Sequence, residues 1–243
     1  MAIPAELPTL PYSQPTLQSQ TEFLLRHVTK WDEVEIAKRM GVSASIAHET
    51  CAMHKAIRYP MQLPAATPAI LAFSGDVYRG LDAKTLTEKQ LITADTHIRI
   101  LSGLYGYLKP LQLIQPYRLM MGTPISLTQG HTSLSSYWRE HISQAINDET
   151  KERDVLINLA SLEYSTVLDE KAISIKIIRC DFRELKNGKA VSVSTYAKVA
   201  RGLMARYILQ QVPKTISELK KFNLAGYRFN EDISDEKTLL FTR

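Results

Sequence analysis

The sequence is poor in cysteine. Cys51 and Cys180 are the only two among its 243 residues, so they can close at most one disulfide. A reducing cytosol disfavours that bond, and we expect two buried, inert free thiols. Neither cysteine has a second cysteine at metal-binding spacing, and no two of the six histidines lie four residues apart. The sequence therefore predicts no metal site and no cofactor.

Long apolar runs are also absent. The longest, residues 69–73 and 155–160, are far shorter than the roughly 20 residues that span a bilayer. The N-terminus has no positively charged start followed by an apolar core, so it does not read as a secretory signal. We expect a cytoplasmic protein with no membrane span and no membrane partner.

Familiar catalytic motifs are missing as well. The chain contains no Walker loop, no GxGxxG and no nucleophile elbow. It has no internal repeat and no low-complexity tract, which excludes solenoid and disordered classes. An enzyme of a well-known class is therefore poorly supported, and we favour a protein that is not an enzyme.

Positive charge is only slightly in excess. Thirty Lys plus Arg against 25 Asp plus Glu give a net charge of +5 and a pI near 9.1. An excess of this size favours an anionic partner without identifying it. The position of the cations along the chain is therefore more informative than their number.

Local signals predict an α+β fold. Capping residues and helical periodicity predict these helices: Thr21–Lys38 as one or two helices, a helix capped by Ser43 and running towards Tyr59, a helix opened by a Thr87/Gln90 capping box and running to Leu101, Ser136–Ile146, and Tyr196–Gln211. Apolar runs predict two buried strands, residues 69–73 and 155–160, and Asn187-Gly188 predicts a β-hairpin. Pro4, Pro8, Pro11 and Pro15 predict an extended N-terminal arm.

The predicted helix from Tyr196 has a basic face. At 100° per residue, Lys198, Arg201 and Arg206 fall opposite an apolar side that includes Met204. Gly202 lies between the cations and would let a phosphate backbone approach closely. The alternative is a solvated charged face on a surface helix.

A glycine-bearing segment precedes a second group of cations. Arg99, Gly103, Gly106 and Lys109 are similar in order to a helix-hairpin-helix, in which a hairpin offers backbone N–H groups to a DNA phosphate. Two residues separate the glycines here, whereas the usual hairpin has one. The alternative is a structural helix end with left-handed glycines.

Polar residues follow each predicted strand. Asp76 and Arg79 lie on a predicted loop after the first strand, and they form either a polar site or a local ion pair. Glu163 and Tyr164 follow the second strand, where a helix start holds an anion or merely completes a cap. Arg118 adjoins an aromatic ring, a pairing suited to phosphate and base stacking or to simple surface packing.

Several ordered blocks resemble the YaaA family of peroxide-stress proteins, from about Pro8 to Arg243. The blocks are Gly75-Asp-Val-Tyr-Arg-Gly-Leu-Asp82, Arg99-Ile-Leu-Ser-Gly-Leu-Tyr-Gly106, Leu113-Ile-Gln-Pro-Tyr-Arg-Leu119, Asn158-Leu-Ala-Ser161 with Glu163-Tyr164, and Tyr196-Ala-Lys198 through Ala200-Arg-Gly-Leu-Met-Ala-Arg-Tyr-Ile208. Members of that family begin with an apolar strand followed by Ser-Pro-Ala-Lys-Thr. This chain starts after that point, so we expect a single YaaA-like domain over residues 1–243 that lacks the first strand.

The resemblance implies a mixed β-sheet surrounded by helices, with a helix-hairpin-helix element and a basic cleft that binds duplex or branched DNA. It also implies a cytoplasmic role in limiting intracellular iron damage during peroxide stress. Carried over by position, the implied DNA-binding residues are Arg79, Arg99, Gly103, Gly106, Lys109, Arg118, Lys198, Arg201 and Arg206.

Three functional interpretations remain open. The first is a monomeric DNA-binding stress protein with no strong sequence specificity and no stable protein partner. The second is an enzyme that holds a phosphorylated or carboxylated small molecule with the same cations and uses Asp76, Glu163, Tyr164 or Tyr196 in catalysis. The third is an iron-handling or scaffold protein whose basic face is only solvated.

Overall fold

The computed structural model describes residues 1, 6–127 and 130–243. Pro4 of the predicted N-terminal arm lies outside these residues. The chain divides into two compact units. Unit 1 comprises Met1–Ala72, Arg99–Thr150 and Ser161–Ser174, and unit 2 comprises Phe73–Ile98, Lys151–Ala160 and Ile175–Arg243. The expectation of a single domain stays a prediction.

The described residues form both helices and mixed sheets, which confirms the α+β class. The α-helices are α1 (Gln18–Val28), α2 (Glu33–Met40), α3 (Ala44–Ala56), α4 (Ala69–Ala72), α5 (Asp76–Leu81), α6 (Glu88–His97), α7 (Leu134–Glu149), α8 (Leu162–Ser165), α9 (Ser194–Gln211) and α10 (Ile216–Leu219). Short 3₁₀ helices cover Ala83–Thr85 and Leu224–Gly226. The strands are β1 (Thr67–Pro68), β2 (Ile100–Ser102), β3 (Gly106–Leu108), β4 (Leu113–Ile114), β5 (Val155–Asn158), β6 (Lys176–Lys186), β7 (Lys189–Val191), β8 (Arg228–Phe229) and β9 (Thr238–Thr242).

Helices α2 and α3 of unit 1 begin at side-chain caps, whereas α1 begins at Gln18 without one. The region predicted as one or two helices forms two, and Asp32 caps α2 by accepting the N–H of Glu35 at 2.7 Å. Gly41 ends α2 with a left-handed φ of 62°. The side chain of Ser43 then caps α3, as predicted. These short-range bonds are determined by the local sequence alone.

The apolar run at residues 69–73 forms a helix, so the predicted strand is wrong. Residues Ala69–Ala72 make the single turn α4, and all four are buried. The N–H of Ala69 donates to the carbonyl of Gln112 at 2.9 Å, and that of Ile70 donates to the carbonyl of Pro110 at 3.0 Å. The apolar character indicated burial correctly. Periodicity in so short a run cannot distinguish a strand from a helix.

Unit 2 is built on a mixed five-stranded sheet. Its strands are ordered β5-β6-β9-β8, with β7 paired to the far end of β6. The β5–β6 and β6–β9 pairs are parallel, whereas β8–β9 and β6–β7 are antiparallel. Asn187 and Gly188 join β6 to β7 with φ of 50° and 75°, which confirms the predicted hairpin. The mixed sheet predicted from the sequence is therefore present.

Helix α9 covers one face of this sheet. Buried side chains from the sheet, from α9 and from the C-terminal segment form the core of unit 2: Ile178, Cys180, Phe182, Ala197, Ala200, Met204, Leu219, Phe222, Tyr227, Leu239 and Phe241. The rings of Phe182 and Phe241 stack with centroids 5.4 Å apart. This core fixes α9 on the sheet and so determines where its polar residues lie.

Two glycines allow α5 to pack closely on α9 within unit 2. A β-carbon on Gly80 would lie 2.1 Å from the carbonyl oxygen of Val199, and one on Gly202 would lie 1.9 Å from that of Val77. Both distances are far below any real contact. The prediction that Gly202 leaves open space for a phosphate backbone is wrong, because Gly202 is buried against the backbone of α5.

Among the described residues, no helix is both long and apolar enough to cross a membrane.

Candidate nucleic-acid interface

Helix α9 presents Lys198 and Arg201 on neighbouring turns of one side. Lys198 is exposed, and Arg201, three residues later, is half-buried. The Nε of Arg201 donates to the carbonyl of Ala197 at 3.2 Å, which fixes the guanidinium against the helix. Within the described part of the chain, its two terminal nitrogens make no hydrogen bond, so both remain able to donate to an anion.

Strand β6 carries two further arginines, of which Arg179 is close to Arg201. Arg179, Asp181 and Arg183 alternate along the strand, and Arg183 donates to the Asp181 carboxylate from Nε and Nη2, both at 3.1 Å. Burial lowers the pKa of Arg201, the nearby Arg179 lowers it further, and Asp181 opposes both. We call Arg179, Arg183, Lys198 and Arg201 the basic cluster of unit 2. Asp181 is the carboxylate that pairs with Arg183 in this cluster.

Arg206 has a different role from the other two cations of α9. Its Nη1 donates to the carbonyls of Leu81 at 2.9 Å and Asp82 at 3.0 Å. These carbonyls lie at the C-terminal end of α5, where a helix favours positive charge. Arg206 therefore holds α5 on α9 and is less available to a ligand than Lys198.

Asp76 and Arg79 lie in helix α5, so their predicted position on a loop is wrong. Their side chains form an ion pair at 3.1 Å across one helical turn, and the Arg79 side chain is 66% exposed. The turn begins at Gly75, whose φ of 114° suits glycine, and the chain enters a helix directly after it. Of the two interpretations of Asp76 and Arg79, a polar site or a local ion pair, the structure contains the ion pair.

In unit 1, Arg99 and Lys109 share one carboxylate. Arg99 Nη2 lies 2.6 Å from Glu149 Oε2, and Lys109 Nζ lies 2.9 Å from Glu149 Oε1. The hydroxyl of Tyr107 also donates to Glu149, at 3.2 Å. Burial alone would raise the pKa of Glu149, but hydrogen bonds from Lys109 and Arg99 outweigh it and lower the pKa. Both cations are thus engaged within the protein, and Glu149 neutralises one of their two charges.

The segment containing Gly103 and Gly106 is a β-hairpin, so the predicted helix-hairpin-helix is wrong at this place. Helix α6 ends at His97 rather than Leu101, and β2 pairs with β3 in antiparallel register. Gly103 is buried against the backbone of Leu119, whose carbonyl oxygen would lie 2.1 Å from an added β-carbon, and Gly106 is buried against Trp138. Its indole N–H donates to the Gly103 carbonyl at 2.9 Å, and a β-carbon on Gly106 would lie 2.5 Å from its ring. The glycines thus serve packing rather than a phosphate.

Arg118 is exposed, but its aromatic neighbour is not. Tyr117 is buried, its hydroxyl lies 2.7 Å from that of Ser102, and its ring packs edge-on against Tyr105. The Tyr117 ring is therefore not available to stack on a base. Tyr117 therefore serves packing, and only Arg118 remains a candidate contact to a nucleic acid.

The four candidate catalytic residues are divided between the units. Glu163 and Tyr164 lie in unit 1, and Asp76 and Tyr196 lie in unit 2. Glu163 accepts the N–H of Gly122 at 2.8 Å, and burial, aided by Glu163, raises the pKa of Tyr164 to about 12. The ring of Tyr196 lies under the guanidinium of Arg243, at 4.9 Å. Glu163 and Tyr196 thus have structural contacts that account for them.

Arg179 and Arg183 were missed from the sequence although a signal was present. They lie four residues apart on the strand that the Asn187-Gly188 turn predicts, and residues separated by an even number of positions share a face of a strand. Their proximity to α9 depends on packing between distant segments. That proximity has no local signal.

The similarity to known proteins extends along almost the whole chain. The profile of the family described as peroxide stress protein YaaA matches residues 2–233. A UPF0246 protein of Francisella tularensis subsp. holarctica (strain OSU18) is 42% identical over 235 residues, which are 96% of this chain and 92% of the relative. The UPF0246 protein IL2146 of Idiomarina loihiensis is 42% identical over 241 residues, which are 98% of this chain and 93% of the relative. These matches confirm the resemblance that the ordered blocks indicated.

Proposed function

Because the chain belongs to the family of the peroxide stress protein YaaA, we propose that it is a cytoplasmic DNA-binding protein of the peroxide-stress response. It binds duplex or branched DNA without strong sequence specificity, acts as a monomer and limits the damage caused by intracellular iron. Peroxide stress is a property of the family. The basic cluster of unit 2 supports the DNA contact.

The observation that supports DNA binding best is the position of the Arg201 guanidinium. It is half-buried, close to Arg179, and its terminal nitrogens have no acceptor among the described residues. A phosphate can accept a hydrogen bond from each of the two terminal nitrogens of an arginine. Such an anion would therefore satisfy both nitrogens of Arg201.

The surroundings of Arg201 suit a phosphate backbone rather than a base. Lys198 is exposed on the preceding turn, and Arg183 is held in place by Asp181. Cations of this kind neutralise phosphates and carry no sequence information. Arg79 and Arg118 add exposed cations to unit 2 and unit 1 respectively, whereas Arg99 and Lys109 are engaged by Glu149.

A direct test is the affinity of the protein for fluorescent duplex, four-way-junction and single-stranded DNA at several salt concentrations. We expect the double variant Lys198→Gln/Arg201→Gln to bind duplex at least about tenfold more weakly, with a log–log salt slope smaller by about 2. The matched control is Lys214→Gln/Lys221→Gln, which removes the same charge from exposed positions of unit 2.

Two results would count against the proposal. One is wild-type protein that shows no DNA binding at low salt. The other is an equal loss of affinity in both double variants, which would mean that only the net charge matters. Far-ultraviolet circular dichroism of each variant establishes that it is folded.

The enzyme interpretation has less support from the contacts of its residues. Asp76 is paired with Arg79, and Glu163 accepts a backbone hydrogen bond from Gly122. Each carboxylate is thus engaged within the protein, and neither is free to act as a general acid or base without giving up that contact. We therefore place DNA binding first.

A further inference from the structure

Unit 1 contains a cavity of about 330 Å³ between the second half of α1 and the C-terminal end of α3. Its volume is at the lower end of the range for small-molecule sites. The residues that matter are Glu22, Arg26, His54, Lys55, Arg58 and Tyr59. None of them belongs to the set predicted from the sequence.

The cavity has an excess of positive charge. Arg26, Lys55 and Arg58 line it, and none of the three forms an ion pair with a residue that the structure describes. The one carboxylate in the lining is Glu22, which accepts a hydrogen bond from Gln18 at 2.7 Å. The net charge of the ionised lining groups is therefore +2, which matches a dianion.

Arg58 is held in place before any ligand arrives. Its Nη1 donates to the carbonyls of Lys55 at 2.5 Å and Ile57 at 2.8 Å, at the C-terminal end of α3. The buried side chain of Gln115 accepts the Arg58 N–H at 3.0 Å and donates to the Arg58 carbonyl at 3.2 Å. A cation fixed at both its backbone and its side chain loses less entropy when it binds an anion.

His54 supplies a buried acceptor with no partner. It is 1% exposed, and its Nε2 lies 3.0 Å from the carbonyl of Arg118, so that nitrogen carries the proton. Burial lowers the pKa of His54, which keeps the ring neutral near pH 7, and Nδ1 then has a lone pair. The nearby carbonyl of Val28 is also an acceptor and cannot bond to it. Among the described residues, Nδ1 has no hydrogen-bond partner.

Tyr59 supplies a second buried polar atom. Its hydroxyl lies near Thr21 but has no well-formed hydrogen bond to any residue that the structure describes. Burial of a polar group without a partner costs about 1–3 kcal/mol. Two such atoms on residues that line one cationic cavity are costly unless a bound molecule satisfies them.

We propose that this cavity binds the phosphate monoester of a small hydroxylated molecule. Its phosphate lies among Arg26, Lys55 and Arg58. The Tyr59 hydroxyl and His54 Nδ1 have almost no exposed surface in this structure, so both are reached only when the cavity wall moves on binding, and a phosphate oxygen then accepts from the Tyr59 hydroxyl. A hydroxyl of the same molecule, directly or through a bound water, donates to His54 Nδ1. A phosphate monoester carries a charge close to −2 at neutral pH, whereas a carboxylate carries −1, so the charge of the cavity favours the phosphate.

Calorimetric titration of the full chain with inorganic phosphate and with glucose 6-phosphate tests the proposal. We expect saturable binding of both probes by the wild type, with tighter binding of glucose 6-phosphate because it offers hydroxyls. The variant Arg26→Gln/Lys55→Gln removes two exposed cations that make no hydrogen bond within the described residues, and we expect at least about a tenfold loss of affinity. Tyr59→Phe keeps the ring and should weaken binding severalfold.

The control Lys38→Gln/Lys171→Gln removes the same charge from exposed positions of unit 1 away from the cavity, and it should bind as the wild type does. Thermal unfolding without ligand shows that each variant folds, and Arg58→Gln provides a second variant. No binding of either probe by the wild type, or equal losses in the Arg26→Gln/Lys55→Gln and control variants, would overturn the proposal.

The same cations would also attract the phosphates of a nucleic acid. Titration with duplex DNA distinguishes a small phosphate ligand from nucleic-acid phosphates. We expect Arg26→Gln/Lys55→Gln to bind DNA with nearly the affinity of the wild type. We expect Lys198→Gln/Arg201→Gln to bind the two phosphate probes as the wild type does. The proposal is wrong if Arg26→Gln/Lys55→Gln no longer binds DNA and the wild type binds neither inorganic phosphate nor glucose 6-phosphate. The cavity would then be part of a DNA-binding surface.

Discussion

Gly80 of α5 and Gly202 of α9 face each other across a helix crossing in which neither position has room for a β-carbon. A β-carbon on Gly202 would lie 2.9 Å from the Cα of Gly80 itself and 1.9 Å from the carbonyl oxygen of Val77. The two backbones are thus in direct contact. Since Lys198 and Arg201 flank this crossing on α9, the glycine pair also fixes the position of the basic cluster.

Gly202→Ala should destabilise the protein strongly. The added methyl would meet backbone rather than a flexible side chain, and relief requires the helices to separate, so we expect a loss of about 3 kcal/mol or more. Urea unfolding measures it. Gly122→Ala is the control, because its β-carbon would meet only the movable Glu163 carboxylate at 3.1 Å, and its cost should stay below about 1 kcal/mol. Similar losses in both variants would contradict the close crossing.

Glu149→Gln should destabilise unit 1 in a pH-dependent way. The substitution keeps the shape of the side chain but removes the charge that holds Arg99 and Lys109, and we expect a loss of about 1–3 kcal/mol at neutral pH. The folded state lowers the pKa of Glu149 below its usual 4.5. Its stabilising contribution is therefore present above pH 4.5 and is lost as the pH falls through the lower folded value.

Urea unfolding at a series of pH values checks both parts of this expectation. The difference between wild type and Glu149→Gln should shrink steadily below pH 4.5. Glu49→Gln, at an exposed position with no ion pair among the described residues, should show almost no difference at any pH. A difference that grows in acid would have the wrong sign and would contradict the ion-pair account.

The sequence predicted those parts of the fold that short-range bonds determine. The caps at Ser43 and Thr87 and the Asn187-Gly188 turn each depend on residues within a few positions of one another, and all three are confirmed. The strand predicted at residues 69–73 was wrong, because a short apolar run indicates burial but not whether the element is a strand or a helix.

The glycines were the least predictable residues of the candidate site. Gly202 and Gly103 were each given a role towards phosphate, and each instead lies against another part of the protein, α5 in one case and the backbone of Leu119 in the other. A glycine that permits close packing and one that permits close approach of a ligand have the same local sequence. Only the partner distinguishes them, and the partner is far along the chain.

The two cysteines should be unreactive in the folded protein. Both are buried, and burial, with a smaller effect of Asp181, raises the pKa of the Cys180 thiol to about 12. Since the thiolate is the reactive form, we expect Ellman's reagent to label native protein no faster than it unfolds. Ser217→Cys, at an exposed position of α10, is the positive control, and its new thiol should react as soon as the reagent is mixed with the protein.

Rapid labelling of the native wild type, at a rate close to that of the Ser217→Cys thiol, would contradict this expectation. It would also reopen direct peroxide sensing by a cysteine, which requires an accessible thiol of low pKa. Slow labelling would argue against a cysteine sensor and would leave DNA binding and small-ligand binding as the activities to test in the stress response.

Trp138→Phe separates the packing role of the β2–β3 hairpin from a DNA role. The substitution removes the indole N–H that donates to the buried Gly103 carbonyl, and the unpaired carbonyl should cost about 1–3 kcal/mol of stability. The DNA affinity of the folded variant should be unchanged, because both hairpin glycines are buried, Gly103 against Leu119 and Gly106 beneath this ring. Urea unfolding and DNA titration of the same sample measure the two effects. If DNA binding fell more than tenfold in protein that is fully folded, the hairpin would be part of the DNA surface, and the basic cluster of unit 2 would no longer be sufficient to explain binding.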